Sequence, residues 1–371
     1  MEETSVSSVL FMSLPFIERR RAVRDGLRSG GLEAVVVTQA ANRYYLSGFT
    51  GEDGVLIVSG AGAALVTDGR FTTQAAEEAR GVRIIRQKGP LQESVGRYLK
   101  SRGWKRIGYD PASVSIEQFG RLRRAAGRHR TWHRLQGAIE SLRARKDGSE
   151  LAQMRKSAIL AGEVLESVLK LLRPGVREFE IAAEIEYQIR RRGATGSAFP
   201  SIVAFGPRSA LPHARPTSRK LRKNELVVLD LGAILGHYCS DITRTLFVGR
   251  APARIRGWYK AVVEAQQAAV SAVRAGAECG EIDAAARKVL KGHRLDRYFV
   301  HSTGHGLGLE VHEEPRVARG QRQRLSPGNV ITIEPGVYVP GTGGIRIEDD
   351  VAVHLHSSEV LTRVRRDFIE L

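Results

Sequence analysis

Five residues in the C-terminal part of the chain carry side chains suited to holding metal ions: Asp230, Asp241, His305, Glu334 and Glu348. Four carboxylates and one imidazole make a hard, oxygen-rich set, better matched to a pair of divalent ions than to structural zinc. Two such ions held close together can clamp a water molecule and activate it for hydrolysis. The residue types alone therefore point to a metallohydrolase.

Those side chains need elements that bring them together. Residues 225–233 read as a buried strand and 237–248 as its returning partner. With a turn centred on Leu235-Gly236, cross-strand partners have numbers summing to 471, which sets Asp230 directly opposite Asp241. Facing carboxylates repel, so this placement is unfavourable without a cation between them. Two solvated acids beside a turn is the plainer alternative, but the apolar run around Asp230 argues against it.

Residues 329–338 and 345–353 form a second strand pair across the Gly-rich segment 340–344. Alternation puts Arg346 and Glu348 on one face, with Ile345 and Ile347 on the other. Arg346 is thus expected to hold the Glu348 carboxylate, and Pro335-Gly336 to break the ladder just past Glu334. The block 301–313, HSTGHGLGLEVHE, holds three histidines on a Gly-permissive backbone. A lone histidine is usually a core residue. Here one completes the metal set and two are left for a substrate carbonyl or a developing oxyanion.

Four blocks now stand in order: 230–245 (DLGAILGHYCSDITRT), 301–313, 333–338 (IEPGVY) and 343–349 (GGIRIED). Together they resemble the pita-bread family, which contains creatinase, methionine aminopeptidase, aminopeptidase P and prolidase. Residues 38–51 (TQAANRYYLSGFTG) and 65–71 (LVTDGRF) resemble the creatinase-type N-terminal domain, so the likeness spans roughly residues 15–355. Methionine aminopeptidases lack that domain, and creatinase does not retain the carboxylate set. The combination is similar to the Xaa-Pro peptidases, prolidase and aminopeptidase P.

The resemblance implies an α/β (α+β) fold: a small creatinase-like N-terminal α/β domain plus a C-terminal pita-bread domain. It also implies two divalent ions, manganese first, with cobalt or zinc as alternatives. Asp241 and Glu348 would bridge them, Asp230 would complete one site, and His305 with Glu334 the other. His213, His301 and His312 match the family's active-site histidines, while Arg346 and Tyr338 match residues lining the site. Glu334 would move a proton to the prolyl nitrogen, and Arg316 would receive the carboxylate of a dipeptide. The implied substrates are proline-containing di- or oligopeptides. Xaa-Pro dipeptidase is the expected activity, with Xaa-Pro aminopeptidase on longer peptides as the alternative. The family's Xaa-Pro members also suggest a homodimer.

An internal repeat supports the fold without reference to any family. Residues 172–183 (LRPGVREFEIAA) match 273–284 (VRAGAECGEIDA), with Arg173/Arg274, Gly175/Gly276, Glu180/Glu281, Ile181/Ile282 and Ala183/Ala284 all offset by 101. Each copy lies between two helical patterns and precedes a hairpin carrying two acidic ligands. This predicts a duplicated helix–helix–hairpin unit about a pseudo-two-fold axis.

The remaining chain sets limits. With 371 residues, two domains are expected: an extension at 1–15, an N-terminal α/β domain at 16–140 and a catalytic domain at 141–371. A long helix should start with Ser149 as its N-cap, run to Leu172 and stop at Pro174-Gly175. Only two cysteines occur, Cys239 and Cys279, which speaks against a disulfide framework and for a cytoplasmic enzyme. Cys239 is expected to pack. No apolar run is long enough for a membrane span, and acidic Glu2 and Glu3 do not fit a secretory leader. The net charge is +18. Its arginine clusters look scattered along the chain without interleaved aromatics, so nucleic acid is not the expected partner. The remote alternative is a non-catalytic pita-bread module with a basic nucleic-acid-binding surface. Such relatives typically lose metal ligands, and all five are present here.

Overall fold

The computed structural model describes the backbone of residues 3–371 and the side chains from residue 15 onward. The chain divides into two units, Met1–Arg143 and Ala144–Leu371. The helix Glu3–Ser29 takes in most of the segment the sequence sets apart as an extension.

The first unit is built on a six-stranded mixed sheet, ordered Arg83–Arg86, Gly62–Thr67, Val55–Ser59, Ala34–Val37, Arg106–Tyr109 and Thr131–Arg134. Its central strands are short runs of β-branched and aliphatic residues buried on both faces, as the pattern AVVV requires. The helices Leu91–Ser101 and Ile116–Ala126 pack so closely that a Cβ on Gly96 would lie 2.7 Å from the Leu122 carbonyl oxygen.

The second unit carries the repeat. The helix Glu178–Arg191 and its counterpart Cys279–Gly292 have the same length and the same offset of 101. Gly175 and Gly276 both have positive φ, 100° and 83°, a conformation a side chain would strain. Isolated bridges Arg177–Lys220 and Glu278–Arg324 close equivalent turns. Ile181, Ile185 and Ile189 bury against the first half's sheet, and Ile282, Ala286 and Leu290 against the second's. One apolar pattern thus makes two cores.

The long helix spans Gly148–Leu169, not residues 149–172. Its N-cap is Asp147 rather than Ser149: the carboxylate accepts the amides of Ser149 and Glu150 at 2.9 Å, and Glu150 accepts the Asp147 amide. A carboxylate also suits the positive helix end.

Arg155 on this helix makes two hydrogen bonds to Glu359, at 2.8 and 2.7 Å, and His354 Nε2 lies 3.0 Å from the same carboxylate. The Arg155 hydrogen bonds, with help from His354, hold the Glu359 carboxyl at about 2. A depressed pKa stabilises the fold above the unfolded value near 4.3 and loses that stabilisation as pH falls toward 2. Glu359→Gln should therefore lower stability at pH 7 by about 1 kcal/mol or less, given the pair's partial exposure. Denaturant melts at pH 7 and pH 3 should show the gap to wild type closing in acid. An equal gap at both would mean the ion pair does not carry it.

Candidate metal centre and active site

The first hairpin turns on Gly236-His237, both with positive φ (54° and 74°), one residue later than the sequence reading places it. Partners therefore sum to 473: Asp230 faces Thr243, and Ile242 faces Leu231. Asp241 is not opposite Asp230 but diagonal to it, in the break between Tyr238–Cys239 and Ile242–Val248. A shift of two keeps both acids on the same face, because side chains alternate with period two.

The second hairpin is split. Val330–Ile333 pairs with Asp349–Val353, whereas Gly336–Val339 pairs with Gly343–Arg346 in a separate ladder. Glu334 lies in the break on one arm and Glu348 in the break on the other. The expected break past Glu334 thus starts at Glu334 itself. Freed from the ladder, Glu334 donates its amide to the Thr303 carbonyl at 2.8 Å, and Glu348 donates to the Thr243 carbonyl at 3.2 Å. The two halves are stitched along residues 241–245 and 346–350. Arg346 donates its amide to Thr245 Oγ1 at 3.0 Å, and Asp241 its amide to Asp350 Oδ2 at 3.1 Å.

This stitching gathers the acids. Ligand-type atoms of Asp241, His305 and Glu348 all lie within 4.8 Å of one another. His305 Nε2 is 3.4 Å from Glu334 Oε1 and 4.0 Å from Asp241 Oδ2. Burial first, and then the neighbouring carboxylates, push Asp241 and Glu348 well above their ordinary pKa. Burial and Asp230 raise Glu334, against the pull of Arg346. Buried Asp230 Oδ1 and Asp241 Oδ1 have no hydrogen-bond partner.

His305 tests whether cations fit. Its Nδ1 lies 3.0 Å from the Gly306 carbonyl, which can only accept, so Nδ1 holds the proton. Burial lowers the ring's pKa to about 4, leaving it neutral at pH 7. Nε2 therefore points a lone pair at two carboxylates. A divalent ion between them would turn all three into ligands and favour the ionised carboxylates that burial otherwise disfavours. The residues fit such ions.

Arg346 does not pair with Glu348, as alternation suggested. It forms an ion pair with Asp230, donates to the Tyr338 hydroxyl at 2.6 Å and to the Pro212 carbonyl at 3.2 Å, and reaches Thr243 Oγ1 at 3.1 Å. The break at residues 347–348 removes the alternation that would put Arg346 and Glu348 on one face. Glu348 is held instead by Thr243, whose hydroxyl donates at 2.6 Å. His301 Nδ1 sits 2.8 Å from the Ser302 carbonyl, so its Nε2 accepts from Tyr338 at 2.9 Å. Burial, with Arg346 nearby, brings His301 to about 4, and burial raises Tyr338 to about 12.

His312 is exposed, with its ring 4.4 Å from that of His305, and burial of part of the ring lowers its pKa. His213 is exposed beside Pro212, on the loop that Arg346 anchors. Arg316 is exposed on the strand Glu313–Val317. Cys239 is buried and packs in a cluster with Leu307, as expected.

Sequence reasoning missed several residues that position the acids. Thr243 holds Glu348, Thr332 donates to Glu334 at 3.3 Å, and Asp350 fixes the Asp241 backbone. Buried Arg244 donates to the Glu348 carbonyl at 2.6 Å and pairs with Asp349 at 2.8 Å. The run of three acids at 348–350 beside two hydrophobic strands was the available signal. Adjacent buried acids demand partners: Thr243 supplies one to Glu348, Arg244 one to Asp349, and the Asp241 amide one to Asp350.

Comparison with known proteins gives the family. Residues 152–354 match the model of metallopeptidase family M24, and residues 19–145 that of the creatinase/prolidase N-terminal domain. A Xaa-Pro dipeptidase of Pyrococcus furiosus is 33% identical over 95% of this chain and 99% of its own. Among solved structures, a Xaa-Pro dipeptidase from Bacillus anthracis superposes with a TM-score of 0.93 at 36% identity, covering 96% of this chain and all of that one. An X-Pro aminopeptidase from Thermotoga maritima gives 0.88 at 31% identity, over 95% of this chain and all of that one. The helix–helix–hairpin repeat, its acids meeting at the seam, is the pita-bread fold, and the domain before it is creatinase-type. No helix among the described residues is long and apolar enough to cross a membrane. With the motifs, the repeat and these matches in agreement, the chain belongs to metallopeptidase family M24, whose peptidases depend on divalent metal ions.

Proposed function

We propose that this metallopeptidase cleaves the bond before proline in Xaa-Pro dipeptides, using two manganese ions. The observation that carries the metal reading is the neutral Nε2 of His305 aimed at Glu334 and Asp241, beside carboxylate oxygens that nothing else satisfies. Asp230, Asp241 and Glu348 would hold one ion, and Asp241, Glu348, His305 and Glu334 the other; such a pair would supply Lewis-acid polarisation and a water acidic enough to react at neutral pH.

The chain's own residues then divide the work. His213 and His312 stand exposed at the rim, placed to donate hydrogen bonds to the substrate carbonyl as it gains negative charge. Glu334, next to the reacting centre in this reading, would take a proton and deliver it to the prolyl nitrogen. His301 keeps Tyr338 oriented, and Tyr338 with Arg346 fixes Asp230. Zinc is the competitor where it is abundant, since affinity orders favour it over manganese. In this reading the enzyme works in the cytoplasm as a homodimer, and both its cysteines are free and buried.

Specificity for dipeptides rests on Arg316, whose exposed guanidinium offers a two-pronged partner for a free carboxylate. The test is hydrolysis of Gly-Pro-type dipeptides against longer Xaa-Pro peptides. Wild type should prefer dipeptides, and Arg316→Ala should raise their KM about tenfold, roughly 1.4 kcal/mol, with kcat kept. Preference for longer peptides, unchanged by Arg316→Ala, would establish the aminopeptidase instead.

A further inference from the structure

The chain's positive charge is far from evenly distributed. Residues 80–134 contain fifteen Lys and Arg but three Asp and Glu, a net +12 of the protein's +18. These residues form the strands Arg83–Arg86, Arg106–Tyr109 and Thr131–Arg134, and the helices Leu91–Ser101 and Ile116–Ala126. Each helix leads into a strand parallel to its neighbours, so both run the same way and end at the same edge. Arg130 confirms this by donating to the Leu99 carbonyl at 3.5 Å.

That edge collects cations that look dispersed in the linear sequence. Lys100, Arg102, Lys105, Arg124 and Arg128 are exposed there. The acids of the segment lie elsewhere or are committed: Glu93 pairs with Arg97, Glu117 pairs with Arg121, and Asp110 accepts the Ala112 amide. Glu33 reaches the edge but caps the backbone amides of Lys105 and Arg106. Helix C-termini favour cations, which accounts for Lys100 and Arg124. It accounts for neither Lys105 nor Arg128. Aromatic rings accompany the charge: Arg102 lies 5.5 Å over half-buried Trp104, which packs edge-on to Tyr98.

We propose that this edge of the N-terminal domain binds single-stranded nucleic acid. A phosphate-bearing strand supplies the repeated negative charge that the exposed cations lack, and its bases can stack on the arginine planes, that of Arg102 being backed by Trp104. A second copy of this chain is a poor occupant, because the residues outside 80–134 are themselves net positive. An anionic membrane is disfavoured too, since the large exposed apolar side chain on these helices, Ile116, stands at the start of its helix, away from this edge.

The test is fluorescence anisotropy of the full-length protein with a labelled oligouridine of about twenty nucleotides. Wild type should bind, and the affinity should fall with salt at about 0.7 in the log–log slope per phosphate contact. Replacing Lys100, Arg102, Arg124 and Arg128 by Gln should weaken binding at least about tenfold and flatten the slope. Replacing Lys223, Arg250, Lys288 and Lys291 by Gln removes equal charge from the other unit and should change affinity no more than about twofold. Neither variant touches the peptidase site, so Xaa-Pro hydrolysis should persist in both. Absence of binding at low salt, equal losses in the two variants, preference for duplex over single strand, or binding to phosphatidylglycerol vesicles without binding to the oligonucleotide would each overturn the assignment.

Discussion

Asp241→Asn should make the metal-free protein melt higher than wild type while reducing peptidase activity about 1,000-fold or more. Asp241 is buried, one carboxylate oxygen lacks a partner, and burial together with Glu348 and Asp230 disfavours its charge. Asn keeps the shape, removes the negative charge and adds a donor for a neighbouring carboxylate. The Asp241 amide bond to Asp350 comes from the backbone and survives. Stability given up for function is a common feature of active sites, and here mutual repulsion is its source. Calorimetry with chelator and with manganese checks both halves. Manganese at about a hundred times its Kd should stabilise wild type by about 2.7 kcal/mol and the variant by far less. If the chelated variant melts below wild type, repulsion does not govern this cluster.

Arg346→Met, a few ångströms away, should act with the opposite sign. Arg346 is buried; burial works against its charge, but Tyr338, Asp230, Glu334 and Glu348 outweigh that and hold its pKa well above the ordinary value. Without it, Asp230 keeps a buried charge with no counter-ion, the Tyr338 hydroxyl loses its donor and the loop at Pro212 loses its anchor. Breaking a buried pair from one side costs about 3–5 kcal/mol. For a domain of this size that lowers the melting temperature by roughly 10 °C. Arg346→Lys restores the charge but not the fork that reaches Asp230, Tyr338 and Thr243 together, so its loss should be intermediate. Equal destabilisation by Met and Lys would show that the fork geometry, not the charge, holds Asp230. The two substitutions share one cluster, and their opposite effects on the metal-free protein separate repulsion from pairing.

Much of this protein was legible in its residues. The acidic motifs, the histidine-rich block and the repeat offset of 101 are short-range patterns, set by residue type, alternation and turn chemistry. The offset reappears in the helices Glu178–Arg191 and Cys279–Gly292 without a residue of drift. Cysteine packing and the presence of two strand pairs followed from the same local rules. Where a local rule met a break in the ladder, it failed. Arg346 and Glu348 share a face only if the strand runs unbroken between them, and it does not. The first hairpin slipped by two because Gly236 and His237 both take positive φ, which nothing in the residue at position 237 announces.

What the sequence determined by itself is therefore the chemistry: which side chains are available, and that they repeat in two halves. Tertiary structure alone decided the partners. Arg346 reaches across 116 positions to Asp230, Thr243 across 105 to Glu348, and the basic residues of the first domain meet at one edge. Those pairings depend on how two sheets abut and how parallel helices end together. Such geometry is set by long-range packing, and no window of neighbouring residues contains it.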